Sequence, residues 1–65
     1  MGISPDVYRT EQGKVWRIIH SGDGGMRVEL LKNEIWVPGP IGMVGLRLSR
    51  TTTQLTPAAI RLLPA

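Results

Sequence analysis

No cysteine occurs anywhere in this 65-residue chain, so neither a disulfide nor a thiolate metal site can form. Histidine occurs once, which rules out a multi-histidine metal site. No apolar run approaches the ~20 residues that a membrane-spanning helix needs. Coiled-coil heptads and internal repeats are also missing. Met1 to Asp6 holds no basic segment followed by an apolar stretch, so no secretory signal is read there, and a cytoplasmic protein is expected. Acidic residues stop at Glu34: beyond it the charged residues are Arg47, Arg50 and Arg61.

These absences bear on stability. A chain of this size buries only about 60% of the surface its unfolded form exposes, and such domains usually add a disulfide, a metal or a partner chain. With the first excluded and no metal-ligand set to offer, self-association is the expected reinforcement. No cofactor is implied by any motif.

What is present reads as short strands. Met1 to Asp6 is a loose lead-in, and Val7 to Thr10 suits a short edge strand. Glu11-Gln12-Gly13 reads as a turn. Lys14 to His20 is rich in β-branched and aromatic residues without a breaker, which predicts a strand. Ser21-Gly22-Asp23-Gly24-Gly25 is a strong turn signal. From Met26 to Leu31, apolar Met26, Val28 and Leu30 alternate with Arg27 and Glu29, the period of a half-buried strand. Lys32-Asn33 offers a two-residue hairpin turn, and Glu34 to Val37 continues the meander with Ile35 and Val37 inward.

The prolines at 38 and 40 make Pro38 to Gly42 a loop or reversal. Met43 to Ser49 is expected to be another strand, with Val44, Leu46 and Leu48 inward and Arg47 outward. Arg50 to Leu55 reads as a polar connection. Thr56-Pro57 is a helix start, a threonine N-cap followed by proline at the first position, and Pro64 ends the short helical piece. Together these elements predict an all-β domain: a small SH3-like, or related OB-like, barrel of about five short strands with a short C-terminal helical turn.

Two local runs invite chemistry and do not support it. Ser21 to Gly25 is glycine-rich but lacks the Gly-Lys-Ser/Thr of a phosphate loop, and a strand follows it rather than a helix. His20 and Asp23 could form half of a nucleophilic triad. Ser21, however, is adjacent to His20 and points to the other side of an extended chain. Glu29 and Glu34 are accounted for by pairing with Arg27 or Lys32. No catalytic set emerges, and the chain is expected not to be an enzyme.

The promising feature is a surface. With Met26, Val28, Leu30, Ile35, Val37, Val44, Leu46 and Leu48 inside, alternation puts Arg27, Trp36 and Arg47 outside. If Trp16 and Ile18 face in, Arg17 joins them. Arg17, Arg27, Trp36, Arg47 and Arg50 are therefore the candidate nucleic-acid contacts: guanidinium groups neutralise phosphates and an indole stacks on bases. The net charge of +3 agrees with an anionic partner, though it is also ordinary for a small domain. The same residues make an alternative interface. Val15, Ile19 and Trp36 outside would form an apolar patch, and tryptophan and arginine are enriched where proteins meet. A homo-oligomer, or a protein-interaction or structural subunit (a regulator of the phage or plasmid type, an inhibitor or an assembly component) that uses this face as a protein interface, thus stays open beside nucleic acid.

Gly13-Lys14-Val15, Arg27-Val28-Glu29-Leu30 and Ile35-Trp36-Val37 together resemble the opening meander of small nucleic-acid-binding β-barrels. The Gly-x-Val and Arg-Val-Glu-Leu runs are similar to those of the smallest class of OB-fold bacterial translation initiation factors. The likeness covers about a third of the chain, and the Pro38 to Gly42 loop and the short basic tail depart from it. It implies a small barrel and carries no site residue across.

Overall fold

The computed structural model describes residues 6–64, so the lead-in expected at Met1 to Asp6 lies, apart from Asp6, outside the described residues. Five strands form one antiparallel sheet: β1 (Val7–Arg9), β2 (Val15–His20), β3 (Met26–Lys32), β4 (Ile35–Gly39) and β5 (Thr53–Gln54). A 3₁₀ segment (Ile41–Leu48) separates β4 from β5, and helix α1 (Pro57–Arg61) follows. The sheet order is β4-β3-β2-β1-β5: a meander whose last strand returns to lie beside the first.

The centre of the fold is the inward side of β2. Trp16 is fully buried and Ile18 nearly so, as the alternation requires. Tyr8 sits opposite Trp16 in the β1–β2 ladder, and the two rings stack with centroids 4.8 Å apart. Val28 and Leu30 of β3 complete the cluster, and Val37, Met43 and Val44 pack against it. Burying an indole of this size is worth ~4–6 kcal/mol at about 25 cal/mol per Å². Its N–H finds no acceptor among the described residues, so part of that gain is returned. Gly39 lies where a Cβ would come within 3.1 Å of Leu30 and 3.2 Å of Val28, which lets β4 approach the core.

Several expectations need correction. Met43 to Ser49 is not a strand: Ile41–Leu48 is 3₁₀-helical, and the adjacent residues Met43 and Val44 both turn to the core, which no strand permits. Leu46 and Leu48, expected inside, are exposed, Leu48 by 86%. A short apolar run bounded by Pro40, Gly42 and Gly45 does not fix its own period. β1, expected at an edge, is interior, because β5 pairs with it from within the stretch read as a connection. Leu55 then donates its N–H to the carbonyl of Val7, and both side chains are buried. Pro38 lies inside β4 rather than ending it. β4 is an edge strand, where a missing N–H is tolerated. Met26 and Ile35 sit at opposite ends of β3 and β4 and are exposed rather than inward.

The turns follow local chemistry. Gly13 and Gly24 take positive φ in the two longer loops. Thr56 caps α1 by accepting from the N–H of Ala59, with Pro57 in the first turn as expected. The β3–β4 hairpin turns one residue later than expected. Lys32 pairs with Ile35, leaving Asn33 and Glu34 as the two turn residues, at φ 50° and 67°. Positive φ at both positions is the primed turn that matches strand twist, and its preferred sequence is Asn-Gly.

Glu34→Gly should therefore raise stability by about 1 kcal/mol, because a left-handed conformation costs glutamate roughly that much and costs glycine nothing. Thermal denaturation should show a higher midpoint, and a lower one would mean the turn is not of this type. Tyr8, the chain's one tyrosine, gives a second test. Its phenol is pushed above 10, mainly by burial and then by the Asp6 carboxylate, against an opposing pull from Arg47. The unfolded chain thus loses this proton first, so stability should fall as pH rises above 10. Ultraviolet titration of the phenolate should show ionisation later than in a denatured control.

Candidate nucleic-acid interface

Placing Trp16 and Ile18 inside forces Val15, Arg17 and Ile19 to the other side of β2. The ladder then decides their neighbours. Arg17 lies opposite Glu29 and Ile19 opposite Arg27, while Trp36 lies opposite Leu31 and Pro38 opposite Glu29. Arg17, Arg27 and Trp36 therefore share one surface across β2, β3 and β4, as the alternation predicts.

The three are physically joined. Arg17 donates from Nε and Nη2 to one oxygen of Glu29, at 2.8 and 2.6 Å. Its guanidinium carbon stands 4.0 Å from the centroid of the Trp36 ring, a cation–π stack. Arg27 Nε is 3.9 Å from the other Glu29 oxygen, a loose pairing, and its side chain is 72% exposed. Glu29 thus holds Arg17 over the indole and leaves Arg27 largely free. Glu29, expected to pair with Arg27 or Lys32, has Arg17 as its closest partner.

Arg47 and Arg50 do not join this surface. Arg47 ends the 3₁₀ segment on the core side of the sheet, close enough to the Tyr8 hydroxyl to oppose the rise in its pKa. Arg50 is exposed in the turn before β5. Arg9, which sequence reasoning missed, does belong: it pairs with Val15 and Thr53, is exposed, and lies on the side of the sheet that carries Arg17. Nothing local could have revealed it, because its side is set by a ladder to β2. Among the strand residues of this face, Arg9, Arg17 and Arg27 outnumber the Glu29 carboxylate, which leaves the strands' outer side net positive.

At the far end of β3 the surface dips into a hollow of about 210 Å³ lined by Ile19, Ser21, Asp23, Gly25, Met26 and Arg27. Ser21 Oγ donates to Asp23 Oδ1 at 2.5 Å, and the N–H of Gly25 donates to the same oxygen at 3.0 Å. The Ser21 hydroxyl, then the Gly25 N–H, hold the Asp23 carboxyl below its ordinary range. His20 has a different partner from the one its spacing suggested: Nε2 lies 2.5 Å from Asp6 Oδ2, so no His20–Asp23–Ser21 relay exists. Among the described residues, no group of three histidine or acidic side chains could hold a metal, and no helix is long and apolar enough to cross a membrane. No family model, curated protein or solved structure matches the chain.

The Arg17–Trp36 stack gives a spectroscopic test. Trp16 is sealed in the core and Trp36 is half-buried, so changes at the outer face should reach the emission of Trp36 alone. Glu29→Gln should loosen Arg17 and alter Trp36 emission and quenching by iodide, with the melting midpoint lowered by no more than a few degrees. Unchanged emission would show that Glu29 does not position the guanidinium.

Proposed function

We propose that this chain is a non-enzymatic binding module, an SH3-like barrel that binds nucleic acid through the outer face of β1, β2, β3 and β4. The barrel reading rests on the strand order, with β5 returning to β1. The short strands and the 3₁₀ segment packed over the inner side of the sheet are consistent with that reading. The functional reading rests on one observation above the others: a guanidinium stacked on an indole, with a second, freer arginine on the same face. Arg27 and Arg9 neutralise phosphate, Trp36 stacks on a base, and Arg17 stiffens the platform. Such a partner fits a cytoplasmic protein. Arg47 and Arg50 lie outside this contact set.

A second reading has its own observation. Ile41, Leu46 and Leu48 of the 3₁₀ segment, and Leu62 after α1, are exposed apolar side chains on a domain whose core is small. They favour a homo-oligomer or a protein partner. The 3₁₀ segment packs against the opposite side of the sheet from Arg17, so both contacts can exist in one assembly.

Binding to oligonucleotides should be measurable at low salt and fall with a log–log slope of about −2, as expected for two to three neutralised phosphates. Arg27→Ala should reduce that slope by about one, and Trp36→Ala should cut affinity about tenfold without changing it. No binding at low ionic strength would falsify the reading. Light scattering on the same samples reports self-association separately.

A further inference from the structure

We infer that the bound form is a single strand, and that the hollow at the β2–β3 turn receives a base carrying an exocyclic amino group. This rests on the nucleic-acid reading above and adds the strandedness and base chemistry.

Two features of the face point to unpaired bases. An indole can stack on a base only when that base is free of its own neighbours, and Arg17 already covers one side of Trp36. The hollow likewise accepts a ring only if the ring is splayed out of a helical stack. Leu31, the cross-strand partner of Trp36, is four residues from Arg27 on β3, about 13 Å at ~3.3 Å per residue. A single strand crosses that distance in a few nucleotides, passing Glu29 on its edge and meeting Arg27 just before the hollow.

The lining of the hollow suits one base and one phosphate. Ile19 and Met26 supply apolar walls, Met26 being 45% exposed, and Arg27 stands at the rim for the phosphate. Asp23 is the polar selector. Its Oδ1 is occupied by Ser21 and by the Gly25 N–H, which fixes the carboxylate and leaves Oδ2 to accept from a ligand. A carboxylate only accepts, so it takes the amino group of cytosine, adenine or guanine and repels the carbonyl oxygen that thymine and uracil present there. The shared chemistry holds for DNA and RNA.

The test compares short cytidine and thymidine or uridine homopolymers, in deoxy and ribo forms, with a duplex, by fluorescence anisotropy at low salt. The expected result is that single strands bind more tightly than duplex and that cytidine is favoured by about threefold or more. The sugar that binds more tightly identifies the natural source. Asp23→Asn should abolish the cytidine preference while overall binding persists. Met26→Ala, on an exposed side chain, should weaken cytidine binding severalfold if Asp23→Asn disturbs the turn; circular dichroism reports which variant is folded. Duplex bound as tightly as single strand, no cytidine preference, a preference unchanged in folded Asp23→Asn, or, where that variant is unfolded, cytidine binding unchanged in Met26→Ala overturns this inference and leaves the broader reading standing. Absence of binding to every oligonucleotide removes both.

Discussion

The indole of Trp16 is the surface on which this small fold converges. Tyr8 stacks on it from β1, Ile18 and Leu30 adjoin it from β2 and β3, and the 3₁₀ segment closes over the cluster with Met43 and Val44. With neither disulfide nor cysteine-bound metal to restrain the unfolded chain, the domain depends on concentrating apolar area in a few large residues. Trp16 and Tyr8 do most of that across the β1–β2 pair. The orphaned indole N–H is the cost of placing tryptophan at the centre rather than at the rim, where such groups usually reach a partner.

The same placement creates the outer face. A strand that turns Trp16 inward must turn Arg17 outward, and the antiparallel register delivers Glu29 opposite it. Glu29 in turn orients Arg17 over Trp36, which the β3–β4 hairpin has brought one strand further along. A slip of one residue at Asn33-Glu34 would reverse β4 and send Trp36 to the other side. Core, turn and candidate surface are therefore one constraint: the register that seals Trp16 also assembles Arg17, Arg27 and Trp36.

Legibility followed the length over which a pattern could repeat. β2 and β3 were readable because six or seven residues of alternation or β-branched sequence outweigh local ambiguity, and Thr56-Pro57 because its capping chemistry is local. The 3₁₀ segment is not legible in the sequence because Val44, Leu46 and Leu48 alternate by accident. Their environment is decided by the turn at Pro40 and by Met43 and Val44 meeting the core, neither visible in the spacing. β5 is two residues of threonine and glutamine whose strand character comes wholly from pairing with β1. The site divides the same way. Arg17, Arg27 and Trp36 follow from pleat alternation, whereas Arg9 and the true partner of Glu29 depend on ladders between distant segments. Arg47 lies in the 3₁₀ segment, where strand alternation does not set its side.

Which arginine would carry binding energy is a separate question from which arginine is best ordered. The Arg17–Glu29 pair is part-buried, with side chains 32% and 17% exposed, and two hydrogen bonds to one carboxylate oxygen hold the guanidinium over the indole. A phosphate that displaced Glu29 would gain one pairing and lose another, leaving a carboxylate beside itself as a like charge. Arg17 is thus better suited to supporting the indole than to neutralising the ligand. Arg27, whose approach to Glu29 is 3.9 Å and whose side chain is mostly in solvent, loses little by turning to a phosphate. The excess positive charge that attracts an anion therefore resides in Arg27 and Arg9, while Arg17 and Glu29 form a neutral, rigid mount for Trp36. If the face binds nucleic acid as proposed, long-range attraction and stacking would be carried by different residues on the same sheet face.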